Sequence, residues 1–403
     1  MKVAVSYTGL FPPLTGASGG DRRVRDLTMG FCQEENDVTM YVPIWQNKGQ
    51  ENKDKDFYTI EYIGNPIFNK IPFVNRFFYW SSLVKHSTKA EPNVLLFYGP
   101  LIDTLFATFI LRNNKMLLAL ETCDLQSTTK KDTFYQSFTQ WLYRKGEEWI
   151  PKSVHLNIII SKHLEDFVKK HAPNVPTLTI PILVDNKIFQ PSEDKKIEFR
   201  KNNNIQADEI VIAYVGGMWE IEGVHFLLEA FRDIKSKTDK KIRLVIAGNL
   251  VKKEGCTDVL GLIKQFNLKD DVITTGWVGT DIVTQLLNAA DILTVPQGQN
   301  EFNKAGLPTK LAEYSAIGKA IVVSQIGDVD VYFTNGKNAL LTEPSDVNSL
   351  ANALLTLIEN AKLRDELSEN ARKLSFEKFN YKVNGKLILG TMKSLIQKRT
   401  DKF

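Results

Sequence analysis

The sequence predicts an α/β protein built from two doubly wound, parallel-sheet domains. Three observations carry that expectation. At 403 residues the chain is longer than one hydrophobic core usually supports. Short apolar runs without polar alternation recur between stretches of helical period, the pattern of strands covered on both faces. That rhythm breaks once, in a polar stretch around Pro191, and then begins again.

Taken in order, the first half offers strands at Lys2 to Tyr7, Asp37 to Val42, Asn93 to Tyr98, Lys115 to Glu121 and His155 to Ile160. A Gly-rich loop, Gly16 to Gly20, separates the first strand from a helix starting near Asp21. The stretch from Val184 to Glu209 has no buried run and reads as a linker leading into a second domain. Strands then recur at Glu209 to Gly217, Ile242 to Asn249, Val272 to Trp277, Ala290 to Pro296 and Lys319 to Ser324. Helices at Val224 to Lys235, Val259 to Phe266, Thr280 to Asn288 and Ser345 to Asn360 fill the gaps, giving βαβ alternation. Leucines at helical spacing between Ala361 and Lys398 predict closing helices. The expected division is 1–190, a first Rossmann-like domain; 191–380, a second Rossmann-like domain; and 381–403, a closing helix.

Composition excludes several classes. Hydrophobic residues make up 43% of the chain but never gather into a spanning segment, so no transmembrane helix is expected. The N-terminal apolar run is short and meets Gly and Pro at once, which reads as a buried strand rather than a signal peptide and points to the cytoplasm. A net charge of +4 without a basic arm argues against a nucleic-acid partner. Cys32, Cys123 and Cys256 lack CxxC spacing and read as reduced structural thiols. The five histidines, His86, His155, His163, His171 and His225, form no ligand pattern and read as structural or surface, and no metal or cofactor is expected.

The densest information lies in Gly306 to Val323, GLPTKLAEYSAIGKAIVV. A Gly-Pro turn, a helix with Lys310 and Glu313 on one face, a second turn at Gly318 and a buried strand follow one another. This order places a helix N-terminus, a cation and a carboxylate at the carboxyl edge of a parallel sheet, where nucleotides bind in α/β folds. Lys and Glu at this spacing also form ordinary surface ion pairs, so the helix alone leaves both readings open.

Around this motif the second half resembles the donor-binding half of GT-B glycosyltransferases, in particular the large retaining family numbered four, the glycosyl transferases group 1. The resemblance runs through YVGGMWEIEGVHFLLEAF from Tyr214, VIAGN from Val245, TTGWV from Thr274, NAADILTVP from Asn288, the motif above and TNGKNALLTEPSDVNSLANAL from Thr334. In the first half the Gly19–Gly20 turn, LETCDLQ from Leu120, IIIS from Ile158 and IPILVDNKIF from Ile180 fall in the same order. The resemblance implies a GT-B fold, two Rossmann-like domains facing across a cleft. It also implies a donor site in which Glu313 binds ribose hydroxyls and Lys310 faces the diphosphate, with Thr309 and Leu311 beside them. A carboxylate accepts two vicinal hydroxyl hydrogen bonds, and an ammonium beside a helix N-terminus stabilises charge growing on a leaving nucleotide.

Departures from the family pattern are as informative. The usual first carboxylate of the pair falls at Ala305; Glu301 lies four residues earlier and either reaches the donor sugar or is a solvated loop charge. Gly217 and Glu222 stand where the family commonly has Arg and Lys, so amides of Gly216 and Gly217 would replace one cation, leaving Lys310 as the main one. Glu222 beside a phosphate would be repulsive unless turned outward or bound to a sugar hydroxyl. In the first domain Gly19 and Gly20 would approach donor or acceptor. Asp124, after Cys123 where the family often has His, would orient the acceptor or act as base, or else caps the next segment.

Ile67 to Lys89 combines six aromatic residues, Phe68 to Trp80, with four cations, and reads either as a helix with a core face or as a contact with an anionic membrane surface. The functional expectation is a retaining, metal-independent transferase that moves a hexose from a UDP- or GDP-sugar to a glycan or lipid-linked acceptor, cytoplasmic or peripheral on the cytoplasmic membrane face. Two other classes stay open: a catalytically degenerate partner subunit, and a two-lobed small-molecule binding protein.

Overall fold

The computed structural model describes residues 1–8, 19–33, 35–44, 54, 56–68, 70, 74–99, 104–123 and 134–401. It divides into two compact units, Met1–Leu183 with Tyr381–Phe403, and Val184–Asn380. The division falls at Leu183 rather than at residue 190, and the residues after 380 join the first unit rather than standing apart.

The first unit holds strands β1 (Lys2–Ser6), β2 (Asp37–Pro43), β3 (Thr59–Ile63), β4 (Val94–Tyr98), β5 (Leu117–Thr122), β6 (Leu156–Ile159) and β7 (Thr177–Thr179). They pair in parallel in the order β3-β2-β1-β4-β5-β6-β7. Helices α1 (Gly19–Phe31), α2 (Val74–Ala90), α3 (Thr104–Leu111), α4 (Phe134–Trp149) and α5 (Lys162–His171) connect them. Every residue of β5 is buried, as a strand covered on both faces must be. One face packs Val24, Leu27 and Phe31 of α1 over Val3, Val5 and Leu96, and the other packs Tyr79, Trp80 and Leu83 of α2 over Leu95 and Phe97.

The second unit repeats the plan with β8 (Ile210–Val215), β9 (Ile242–Ala247), β10 (Val272–Gly276), β11 (Ile292–Val295), β12 (Ala320–Ser324) and β13 (Leu340–Thr342), all parallel in the order β10-β9-β8-β11-β12-β13. Its helices are α6 (Glu193–Asn202), α7 (Val224–Lys235), α8 (Val259–Gln265), α9 (Thr280–Ala289), α10 (Glu301–Ala305), α11 (Lys310–Ile317), α12 (Val329–Tyr332), α13 (Val347–Glu359) and α14 (Ala361–Leu374). Helix α6 lies where a linker is expected. Ser192 caps it by accepting from Lys195 N–H, and it docks through polar groups: Ser192 N–H to Asn288 Oδ1 at 2.7 Å, Lys195 Nζ to Thr284 at 2.8 Å and Arg200 to Asp291 at 2.8 Å. An apolar run is therefore not what marks this helix.

One turn of π-helix, Ser375–Phe379, leads to the last helix, α15 (Tyr381–Thr400). Before it leaves the second unit the chain pairs with the segment by which it entered, since Val184 N–H donates to Phe379 O at 2.9 Å and Asn380 to Asn186 at 2.8 Å. Helix α15 then covers the first unit, where Ile388, Leu389 and Met392 are buried with α1. The two helices cross at paired glycines: a Cβ on Gly385 would stand 2.3 Å from Gly30 O, so no other residue fits without moving the helices apart. Among the described residues no helix is long and apolar enough to cross a membrane. Cys32, Cys123 and Cys256 form no disulfide among the described residues.

Candidate active site

In the second sheet β8 continues to β9 on one side while β11 continues to β12 on the other, so the chain leaves these adjacent strands in opposite directions. The carboxyl ends of β8 and β11 therefore flank a topological switch point. Two tyrosines finish the crevice. Tyr314 of α11 takes the Val215 N–H at 3.0 Å, the bond a longer β11 would otherwise have made, and so ends the sheet while satisfying its last amide. Tyr214, fully buried, lies within 2.7 Å of Gly217 O and 3.2 Å of Glu222 Oε2 with its hydroxyl. Burial, and then the Glu222 charge, push that hydroxyl well above the usual phenol range, so it acts as a donor throughout neutral pH.

Lys310 opens α11 and points into this crevice. Its ammonium lies 2.5 Å from Glu222 Oε2, 3.3 Å from Tyr214 Oη and 4.7 Å from the centre of the Tyr214 ring. The side chains of Lys310 and Glu222 are 12% and 20% exposed, so the pair is partly desolvated yet open to a ligand. Lys310 is thus not an unpaired cation waiting for phosphate, and Glu222 is not turned away from it: the carboxylate holds the ammonium. A Cβ at Gly216 would fall 2.6 Å from both Lys310 Nζ and Tyr214 Oη, which makes the bare backbone part of the ammonium's seat.

The remaining candidates separate by position. Glu313 follows Lys310 on the same helical face and is 5% exposed. Thr309 caps α11 without a side-chain cap bond. Leu311 is fully buried and its N–H goes to Pro308 O, so its side chain serves the core rather than a ligand. The Gly216 N–H donates to Ala247 O at 3.0 Å and is spent on the sheet; the Gly217 N–H has no acceptor among the described residues. Glu301 lies at the start of α10 with its side chain 74% exposed and 2.7 Å from Lys304, the arrangement of a solvated charge rather than one folded inward. A cavity of about 600 Å³ lies on the α7 side of this region, lined by Glu220, His225, Asp258, Gln299 and Ser345, and includes neither Lys310 nor Glu313. The turn that separates it from the crevice is tied by Asn303, which donates to Ile221 O and Gly298 O at 2.8 Å.

At the carboxyl edge of the first sheet the residues that matter are ones the sequence did not announce. Glu121, next to last in β5, accepts from Arg23 Nε at 2.6 Å, and both side chains are essentially inaccessible. Arg23 also donates to Ile180 O at 2.9 Å and Pro181 O at 2.5 Å. Burial raises the Glu121 carboxyl and Arg23 draws it back. The signal, in retrospect, is a carboxylate inside an otherwise apolar strand. Gly20 of α1 receives the Tyr98 hydroxyl at 3.0 Å, and Gly19 opens the helix. Asp124 lies outside the described residues. Among the described residues no three His, Cys, Asp or Glu side chains come together as a metal site.

Of the described part of Ile67 to Lys89, Tyr79 and Trp80 are core, at 0% and 3% exposure, Phe68 and Phe78 are half-buried, and Phe77, 56% exposed, offers its ring to solvent. Its ring lies 5.8 Å from Phe106 of α3, where Phe106, Phe109 and Ile110 are exposed as well. Phe73 lies outside the described residues.

The second unit is similar to known proteins. Residues 195–374, nearly the whole second unit, match the family model described as Glycosyl transferases group 1. An uncharacterised glycosyltransferase of Methanocaldococcus jannaschii is 23% identical over 94% of this chain and 95% of its own. Other curated relatives match over about half of their length. Among solved structures, sucrose-phosphate synthase from Thermosynechococcus elongatus superposes over 98% of this chain and 99% of its own with a TM-score of 0.78 at 19% identity. HepE of Anabaena, in complex with UDP-glucose, superposes over 98% of this chain and 100% of its own with a TM-score of 0.74 at 16% identity.

Proposed function

We propose that this chain, a group 1 glycosyltransferase of GT-B fold, is a retaining and metal-independent enzyme that moves a hexose from a UDP- or GDP-sugar to a glycan or lipid-linked acceptor. The observation that carries the reading is the Lys310 ammonium seated at the switch point between β8 and β11, with Glu313 behind it on one helix face. In the proposed reaction the donor diphosphate takes the Lys310 ammonium, the Gly217 N–H and the start of α11 as its donors. Glu313 accepts the two ribose hydroxyls. As the glycosidic bond breaks, negative charge accumulates on the diphosphate beside Lys310, and the acceptor hydroxyl attacks from the same face, its proton passing to a departing phosphate oxygen. HepE, with the same fold and UDP-glucose bound, supports a nucleotide-sugar donor.

The Glu222–Lys310 pair is also the one feature that favours a degenerate partner subunit, because an internal carboxylate occupies the cation. A thermal-shift panel of UDP-, GDP-, ADP- and dTDP-sugars on wild type, Glu313→Ala and Lys310→Ala separates the readings. One nucleotide series should stabilise wild type and lose its effect in both variants; a ligand at about a hundredfold its Kd adds ~2.7 kcal/mol to the folded state. If no nucleotide shifts the wild type, the donor site is not functional and the subunit reading replaces the enzyme.

For the acceptor we propose that the exposed rings of Phe77, Phe106 and Phe109 and the side chain of Ile110 rest on a membrane interface, giving the enzyme a peripheral place on the cytoplasmic face. The patch keeps Phe77 of the segment Ile67 to Lys89 and extends onto α3, while Tyr79 and Trp80 of that segment lie in the core.

A further inference from the structure

A second cavity, of about 310 Å³, opens in the first unit at the opposite edge of the sheet from the strands' carboxyl ends. It is lined by the residues just before β6 and β7, His155 and Pro176, by Arg112 beyond the end of α3, and by Leu395, Lys398 and Arg399 of α15. No carboxylate lines it, and among the described residues no acidic side chain pairs with Arg112, Lys398 or Arg399. The cations are nonetheless held in place. Arg399 Nη2 donates to Asn114 O at 3.2 Å, and the His155 ring accepts the Leu118 N–H at 2.9 Å through Nδ1 while bonding the backbone of Arg112. The groups that act on His155 and on Arg399 are cations: burial and Arg112 draw the Arg399 guanidinium below its ordinary value.

Two guanidinium groups and an ammonium around one cavity repel one another, and holding them together costs free energy unless something negative joins them. A ligand with several acceptor oxygens would bridge them, as guanidinium forks do with phosphate. Beside the charges the wall is apolar, with Leu117, Val154, Val175 and Leu395. Phe109 lies three residues before Arg112 and is 83% exposed.

We infer that this cavity is a phosphate-binding site, separate from the donor crevice, that takes a phosphate ester carrying an apolar or ring-bearing substituent. The phosphate has two possible sources, a lipid headgroup or a soluble phosphate ester, and the exposed rings of α3 favour the lipid. The inference does not depend on the donor reading, because it shares no residue with Lys310, Glu313 or the second unit.

The test compares full-length wild type, Lys310→Ala and the double variant Arg112→Gln/Arg399→Gln. Millimolar inorganic phosphate at constant ionic strength should raise the melting temperature of wild type and Lys310→Ala by about 3 °C, the shift given by a ligand near ten times its Kd. The double variant should not respond and, with the repulsion removed, should melt no lower than wild type without phosphate. If it fails to fold, Arg112→Gln alone carries the test, since among the described residues that guanidinium has no hydrogen bond or ion pair to lose. In a second arm, wild type and the double variant are floated with phosphatidylglycerol–phosphatidylcholine vesicles and with phosphatidylcholine alone. Flotation of wild type lost in the double variant assigns the lipid source; a phosphate shift without flotation assigns the soluble one. Equal responses of wild type and double variant, or no response of wild type to either probe, overturn the site.

Discussion

At the scale of single residues the decisive contact is Glu222 on Lys310. A bound diphosphate must compete with this carboxylate for the ammonium. Glu222→Gln is therefore expected to tighten binding of the bare nucleoside diphosphate several-fold, about 1 kcal/mol at the effective dielectric of a partly open site, by titration calorimetry. A weakening instead would show that Glu222 serves mainly to aim Lys310. Gly216→Ala should abolish donor binding and also lower the melting temperature, because the intruding methyl meets both the flexible end of Lys310 and the fully buried Tyr214 ring, which has no room to move aside. Lys310 and Glu313 were legible because both stand in one continuous motif whose turns fix the helix. Glu222 was legible only as a departure: it reaches Lys310 from 88 residues away, across three crossovers, and no local pattern records that meeting. His155 is a second case. It reads as structural, and the fold does bury it, drawing its pKa down to about 4 through burial and then through Arg399 and Arg112. The neutral ring is favoured in the folded state, so the unfolded chain, titrating near ~6.5, binds the extra proton first. Stability is complete above about pH 6.5 and falls as pH drops towards 4; in His155→Gln, melting curves across that window should be flatter.

Among elements, the buried strands declared themselves because each is a continuous apolar run between turn residues. Strand β3, TIEYI, is half exposed and alternates, while β7 and β13 are three residues each, too short for a period to show. Helix α6 hid for the opposite reason, since its docking is made of hydrogen bonds. The contact of α1 with α15 was invisible in kind: two glycines 355 positions apart, as their numbers show, meet backbone to backbone. Gly385→Val should therefore cost several kcal/mol, more than the ~1–3 kcal/mol of ordinary overpacking, because the obstacle is a carbonyl that cannot rotate away. Urea unfolding followed by hydrogen exchange should show the loss in β1 and β2 while β8 and β9 keep their protection.

On the scale of the whole molecule, the boundary near Pro191 was placed by polarity, whereas the compact units exchange at Leu183 and again at Asn380. The returning segment could not be assigned from sequence because Ala361 to Lys398 has one uninterrupted helical rhythm, and only the π turn at Ser375–Phe379 divides it. Removing residues 381–403 should uncover Val24, Leu27 and Phe31, each worth about 1.5–3 kcal/mol when buried, and unfold the first unit. Nucleotide binding by the second unit, measured by calorimetry on that truncated chain, is expected to persist.

The paired glycines of α1 and α15 also order events in time. A ribosome delivers α1 among the first residues and α15 after every strand of both sheets, so the first unit to emerge cannot bury its core until the second has been made. The unit begun first is finished last. Until then the apolar face of α1 is exposed, and the stretch of translation between residue 31 and residue 400 is when a nascent-chain chaperone has most to hold.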